Sequence, residues 1–366
     1  MVNTIVALYE NLRHWRWNLP PLYALILEGR VCKNPAKDQR LRLWAGHTRP
    51  CKEGLFVLAK SGICIILNAG SGKRDTKSRP DSITAAFAAL GSACTIKLVE
   101  DGAQIEARAR AAVLEGFTTI VAAGGDGTIC GVAAALRGSK TVMGILPLGT
   151  FNYFARSLDL PMDLEPAVKV IVEAHSRALR IATVNGQVFL NNASLGAYPA
   201  ILETREDIYK RWGRSRIAAY WAVIKTLSTV RPPLHLRITA DGDMRTFRSP
   251  LVFVVNNAYQ LTQLAVEGAD HIDDGKLVVF VAPDAGRFEM IRMAILIALG
   301  RGLPKWKFTV LGGVDILIER LGRRVGHRQT IARDGERERI AGPFRIQVVE
   351  NALTVLVPGT DTGATR

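Results

Sequence analysis

The chain has 366 residues, 48% of them hydrophobic, which is enough apolar material for two domains with a substantial core and excludes a disordered chain. Lys and Arg number 48 against 33 acidic residues, a formal net charge of +15 that favours an anionic partner: a nucleotide, a nucleic acid or an acidic membrane surface. No apolar run reaches membrane-spanning length, since Met293 to Leu299 is short and flanked by Arg292 and Arg301.

Residues 1–58 stand apart as a basic, aromatic extension with Trp15, Trp17, Trp44 and Pro20-Pro21 and no clear periodicity. From Ser61 the pattern changes. Strands are predicted at Ile63 to Leu67, Cys94 to Val99, Thr118 to Ala122 and Val142 to Leu146. Helices are predicted between them at Ser82 to Leu90, Gln104 to Leu114 and Ile129 to Leu136. This alternation implies a parallel sheet covered by helices on both faces, with ligands at the carboxyl ends of its strands.

Beyond about Arg180 the sequence becomes strand-rich. Strands are predicted at Val188 to Asn192, Leu234 to Thr239, Leu251 to Asn256, Leu277 to Val281, Val314 to Ile318 and Phe344 to Val349, with turn signals at Asp241-Gly242 and Asp274-Gly275. The expected fold class is therefore α/β plus β: a parallel-sheet nucleotide-binding domain over 59–182, a mostly antiparallel β-sandwich over 183–351, and an active site in the cleft between them. One helix, Arg205 to Leu227, interrupts the strands. It mixes Tyr209, Trp212, Tyr220 and Trp221 with Lys210, Arg211, Arg214 and Arg216, a composition that suits either a membrane interface or a helix packed with its basic face in water.

The five cysteines show no CxxC spacing, which argues against a disulfide framework or a zinc site. They fit a reducing cytoplasm, and the N-terminus has no basic region ahead of an apolar core of the kind that marks a secretory signal.

The most informative segment is Gly124-Gly125-Asp126-Gly127-Thr128, which joins a predicted strand to a predicted helix. Glycine lets the backbone approach an anion closely, and the N–H groups and dipole of a helix start attract it. A carboxylate inside such a turn repels phosphate unless a divalent cation stands between them or the Asp handles a proton. The segment does not fit a dinucleotide fingerprint, because Cys130 stands where a third Gly would be. Gly70-Ser71-Gly72-Lys73-Arg74 likewise fails as a P-loop, with Leu67 and Arg74 at two required positions. Asn68, Gly124 to Thr128 and Gly149-Thr150 all fall at predicted strand ends on one edge. By itself, Asp334-Gly335-Glu336 reads as an exposed hairpin turn.

Five segments in order carry a family resemblance: Asn68-Ala69-Gly70-Ser71-Gly72, Gly124 to Thr128, Pro147 to Arg156, Asp273-Asp274-Gly275-Lys276-Leu277 and Asp334-Gly335-Glu336. Over residues 61–358 the chain resembles the diacylglycerol kinase and sphingosine kinase catalytic superfamily, especially its soluble bacterial lipid kinases. The resemblance implies ATP and Mg²⁺ as cofactors, with the nucleotide site at Asn68, Ala69, Gly70, Ser71, Gly72, Gly124, Gly125, Asp126, Gly127, Thr128, Gly149, Thr150 and Asn152. It implies a catalytic set in which Glu336 is the acid–base carboxylate, Asp126 orients Mg²⁺ and Asp334 supports the loop of Glu336. It also implies a structural Mg²⁺ held by the Asp274 side chain and the backbone carbonyls of His271 and Lys276, and a last strand, 352–358, that returns to the first domain.

The sequence departs from the family at Ala69, where Pro is common, at Tyr153, where Asp is common, and near Val99-Glu100, which lacks a Thr. The expected partners are a membrane lipid as substrate and an anionic membrane surface met from the cytoplasmic side. No nucleic acid is expected, since no recognition motif is present, and a homodimer is left open. The competing readings are an NAD kinase-like enzyme and a non-catalytic nucleotide- or lipid-binding regulator.

Overall fold

The computed structural model describes residues 62–70, 79–197, 199, 233–259, 261, 268–284, 289, 292, 308–322, 324 and 326–359. The extension at 1–58, Ser71, Gly72 and the segment Arg205 to Leu227 lie outside them.

The first half alternates strand and helix as expected: β1 (Ile63–Asn68), α1 (Arg79–Ala89), β2 (Cys94–Val99), α2 (Ile105–Leu114), β3 (Thr119–Gly124), α3 (Asp126–Leu136), β4 (Val142–Pro147), α4 (Tyr153–Ser157) and α5 (Leu164–Glu173). Strand β1 reads as an unbroken apolar run because both its faces are covered. Ile65 and Leu67 pack with Ile83 and Phe87 of α1 and Val168 and Ile171 of α5. Cys64 and Ile66 pack on the other face with Ala109 and Ala112 of α2 and Val132 and Ala133 of α3. Each large side chain buried in this way, such as the fully enclosed Phe87, contributes about 1.5–3 kcal/mol. The strands are parallel, in the order β2-β1-β3-β4. The chain leaves β1 first to one side and then to the other, so the carboxyl ends of β1 and β3 flank the crevice where such sheets bind ligands.

The second half is β5 (Ser176–Val184), β6 (Gln187–Phe189), β7 (Asn192–Gly196), β8 (Leu234–Ala240), β9 (Asp243–Ser249), β10 (Leu251–Val255), α6 (Ala269–Asp273), β11 (Leu277–Val281), β12 (Thr309–Gly313), β13 (Asp315–Arg320), β14 (Arg328–Arg333), β15 (Glu336–Ala341) and β16 (Phe344–Leu356). Six of these strands form an antiparallel sheet in the order β12-β11-β10-β7-β14-β15. The remaining strands continue the first sheet through β16, β13, β8 and β9, with β5 and β6 beside them. A sandwich core forms between the layers: Phe189, Leu236, Ile238, Ile316, Ile318, Phe344 and Ile346 meet Leu195, Val252, Val254, Leu277, Val279 and Ile331.

Strand β16 joins the two halves. Its first residues pair with β13 and its end pairs parallel with β4 at Val355 and Met143, while β5 runs antiparallel along most of its length with a bulge between Val349 and Leu353. The C-terminal strand thus belongs to both units and fixes the sandwich against the edge of the parallel sheet.

The structure corrects some of the expected elements. The strand predicted over Val188 to Asn192 is broken at Leu190 and Asn191, between β6 and β7. Strands β5, β9, β12, β14 and β15 and helices α4, α5 and α6 have no counterpart among the expected elements. Asp241-Gly242 and Asp334-Gly335 are two-residue hairpin turns with φ of 47° and 92°, and 45° and 91°, the left-handed pair that Asp-Gly supplies. Asp274-Gly275 is different: it ends α6, with Gly275 at φ 83°.

Candidate functional site

Three loops of the parallel sheet meet at its carboxyl edge. The loop after β1 is tied by the Ala69 N–H donating to the Val99 carbonyl, at 2.9 Å, and by the Gly70 N–H donating to Asn68 Oδ1, at 2.9 Å. Asn68 Nδ2 donates to Thr128 Oγ1 at 3.0 Å, joining that loop to the first turn of α3. The loop after β4 is held by the Leu148 N–H donating to the Gly124 carbonyl, at 2.9 Å. Buried Asn152, in the left-handed region at φ 51°, closes this loop: its Oδ1 accepts from the Gly149 N–H and its Nδ2 donates to the carbonyls of Pro147 and Gly149.

Two glycines are required by close approach. A Cβ on Gly149 would strike the Gly125 backbone and lie 2.7 Å from Asn152 Oδ1. One on Gly124 would lie 2.6 Å from Thr128 Cβ. Gly125 is the N-cap of α3, has no side chain to cap it, and accepts the first intrahelical bond from Ile129. The N-terminus of this 11-residue helix therefore presents first-turn N–H groups and a positive dipole end beside the crevice, a local chemistry suited to phosphate.

The sequence-derived candidates separate into two groups here. Gly70, Gly127 and Thr150 are exposed on the edge, and Asn68 and Ala69 are half-buried beside them. Thr128 and Asn152 are buried and spend their polar atoms on neighbouring loops, so they shape the cradle and do not face it. Ser71 and Gly72 lie outside the described residues.

Asp126 stands at the start of α3 with its carboxylate turned toward the second half. Its Oδ1 accepts from the Phe154 N–H at 3.3 Å and from Asn191 Nδ2 at 3.4 Å. Burial pushes its carboxyl up to about 6, helped by the nearby Asp334 charge and opposed by the Phe154 and Asn152 N–H groups and the Asn191 amide. Asn191 is in turn oriented by buried Asn257, whose Nδ2 donates to Asn191 Oδ1 at 2.8 Å and to the Tyr153 carbonyl at 3.2 Å. Neither Asn191 nor Asn257 is among the residues expected from sequence.

Asp334 supports the loop that carries Glu336. It sits at the tip of the β14–β15 hairpin, and its carboxylate accepts the N–H groups of Leu190 and Asn191, both at 2.7 Å, and of Asn192, at 3.0 Å. Burial raises its carboxyl, and these three donors oppose that rise. This clamp explains why the chain breaks between β6 and β7, because the break turns three successive N–H groups onto one carboxylate. Arg333 braces the same turn through Glu338 and the Val188 carbonyl. Asp334 is thus a positioning residue. Two residues on, exposed Glu336 opens β15, and its Oε1 lies 3.8 Å from the position a Cβ would take on Gly127. The sandwich hairpin therefore delivers a solvent-accessible carboxylate to the helix start that the parallel sheet supplies.

At α6, the two carbonyls that the resemblance implies as cation ligands accept hydrogen bonds from within the protein. The His271 carbonyl accepts the Lys276 N–H at 2.8 Å. The Lys276 carbonyl accepts from Arg180 Nη2 at 3.3 Å, and the Ile272 carbonyl accepts from the same nitrogen at 3.0 Å. Asp274 is exposed at the end of the helix. A guanidinium thus bonds one of the oxygens that the resemblance assigns to Mg²⁺, that of Lys276. At the α3 site, by contrast, Asp126 and Glu336 offer carboxylate oxygens, the donor type a hard divalent cation takes.

Comparison with known proteins agrees with this organisation. The diacylglycerol kinase catalytic domain matches residues 62–184 and the YegS C-terminal NAD kinase beta sandwich-like domain matches residues 199–357. A diacylglycerol kinase of Bacillus subtilis is 28% identical over 245 residues, 64% of this chain and 78% of that one. A YegS-like lipid kinase of Cronobacter sakazakii is 42% identical over 94 residues, 25% of this chain and 31% of its own. The crystal structure of a diacylglycerol kinase from Bacillus anthracis shares the fold with a TM-score of 0.59 at 22% identity, covering 81% of this chain and 97% of that one. The chain belongs to the superfamily of diacylglycerol kinases and YegS-like lipid kinases.

Proposed function

We propose that this protein is an ATP- and Mg²⁺-dependent lipid kinase that transfers the γ-phosphate of ATP to a lipid hydroxyl, that of diacylglycerol or a related lipid. The observation that carries this reading is the Glu336 carboxylate standing beside Gly127 at the N-terminus of α3. It sets a proton acceptor from one half of the molecule against an anion cradle from the other.

Phosphoryl transfer asks the protein for positioning, charge neutralisation and removal of one proton. The first-turn N–H groups of α3 and the Gly125–Gly149 contact would hold the nucleotide phosphates. Mg²⁺ bound with the nucleotide would neutralise phosphate charge, and Asp126 is the residue that would hold it. Glu336 would take the proton of the acceptor hydroxyl as the new oxygen–phosphorus bond forms. The bond from phosphorus to the bridging oxygen breaks, and ADP leaves with that electron pair. General-base help of this kind is typically worth about 10²–10⁴-fold. The net charge of +15 suits peripheral contact, from the cytoplasm, with an anionic membrane surface where such an acceptor resides.

The alternative acceptor is a soluble ribose hydroxyl, since the matched C-terminal domain is described as NAD kinase beta sandwich-like. The test is transfer of labelled γ-phosphate from Mg-ATP to diacylglycerol, a sphingoid base, ceramide and phosphatidylglycerol in mixed micelles, with NAD⁺ alongside. A labelled lipid is the expected product and would identify the acceptor. Labelled NADP⁺ would move the chain to the soluble-acceptor reading. ATP binding without either product would favour a non-catalytic regulator.

A further inference from the structure

Helix α6 and its exit turn are held by Arg180, a residue of β5 far from them in sequence. Nη2 donates to the Ile272 carbonyl at 3.0 Å and to the Lys276 carbonyl at 3.3 Å. Nη1 is buried beside Gly275, 3.6 Å from where a Cβ would stand. The carboxylates of Asp273 and Glu350 lie close enough to balance the charge, while burial of the guanidinium works against it. Two carbonyl oxygens and flanking carboxylates surround the guanidinium as they would surround a bound cation. Here the cation is covalently part of the chain. A divalent ion at the Lys276 oxygen, at roughly 2.1 Å, would share that oxygen with a guanidinium and meet its full positive charge.

We propose that Arg180 performs at the α6–β11 turn the task of a structural divalent cation, pinning the carbonyls of Ile272 and Lys276 to β5, so that this protein binds no metal there. The strand that carries Arg180 also pairs along β16, so the guanidinium anchors the turn to the strand pair that joins the two halves. The role needs no assumption about the reaction catalysed.

The experiment uses the full chain without nucleotide. Thermal unfolding is recorded in EDTA and in millimolar Mg²⁺ for the wild type, Arg180→Met, Arg180→Lys and Asp274→Asn, and Mn²⁺ binding is followed by electron paramagnetic resonance. The wild type and Asp274→Asn should melt at the same temperature in either medium and bind Mn²⁺ identically. Arg180→Met, which keeps the stem and loses the donors, should melt about 4–8 °C lower. Arg180→Lys should recover part of that loss. A wild-type midpoint raised by Mg²⁺, or a Mn²⁺ site that Asp274→Asn removes, would overturn the proposal. So would an Arg180→Met protein that melts with the wild type. If Arg180→Met does not fold, the wild-type and Asp274→Asn comparison still decides.

Discussion

Replacing Asp126 by Asn should make the protein more stable and nearly inactive. The Asp126 carboxyl lies at about 6 because burial disfavours its charge, against 3.8 when unburied. Its folded state therefore holds the proton more tightly than its unfolded state, so the ionised group opposes folding above about pH 6 and ceases to do so as pH falls toward 3.8. At pH 7 the opposition amounts to about 3 kcal/mol. The Asn amide removes the charge but replaces one of the two acceptor oxygens by an NH₂ that cannot accept from the neighbouring N–H groups, so the net gain should be about 1–3 kcal/mol, or about 2–10 °C in midpoint. Urea unfolding followed by circular dichroism between about pH 5 and pH 8 measures it. The variant's advantage should be about half developed at pH 5 and flat above pH 7. Phosphoryl transfer should fall by about 10²-fold or more, the opposed signs expected where a site stores an unfavourable charge for function. A variant no more stable than the wild type at any pH would refute the claim that this carboxylate is held against its preference for water. Unchanged rate and Mg²⁺ dependence would refute its place in the reaction.

Three further outcomes test the site. Glu336→Gln should abolish transfer and leave nucleotide affinity, measured by calorimetry, within about twofold, because the amide keeps the shape but accepts no proton. Gly149→Ala should cost about 1–3 kcal/mol in denaturant unfolding and weaken nucleotide binding, since its Cβ enters the Gly125 backbone and the Asn152 side chain; a fully active, stable variant would mean the two loops do not touch. Asp334→Ala should cost about 3 kcal/mol or more by leaving three N–H groups unmatched, and its residual activity should be limited by KM and kcat together, since it displaces both Asn191 and Glu336.

The parallel half was legible because each signal there is local. Buried strands read as apolar runs such as Ile63 to Leu67, and the Gly-rich turn announces a helix start. The sandwich was harder. Strands β9 (Asp243–Ser249) and β15 (Glu336–Ala341) carry charged residues because they are the outer strands of their sheets, where charge discourages further pairing, and so they resemble loops. Asp334-Gly335 was readable as a hairpin, but the fate of its carboxylate was not, since its three donors lie 142 to 144 residues away. Asn191, Asn257 and Arg180 lack any spacing signal. Their roles exist only once β7, β10 and β5 are placed, and a lone Asn or Arg in a sequence carries no record of which carbonyl it will meet.

Asn191 shows why the two halves must act as one site. Its backbone N–H goes to Asp334 of the sandwich hairpin and its side chain to Asp126 of the parallel-sheet turn. Anything that moves the hairpin relative to the sheet moves Asn191, and with it the charge balance on Asp126, whose carboxyl is raised partly by Asp334 itself. Glu336 rides on the same hairpin, two residues from the clamp. The two carboxylates nearest the helix start are therefore set by a single element. The Asp334 clamp holds the hairpin that carries Glu336, and its buried charge helps to raise the carboxyl of Asp126.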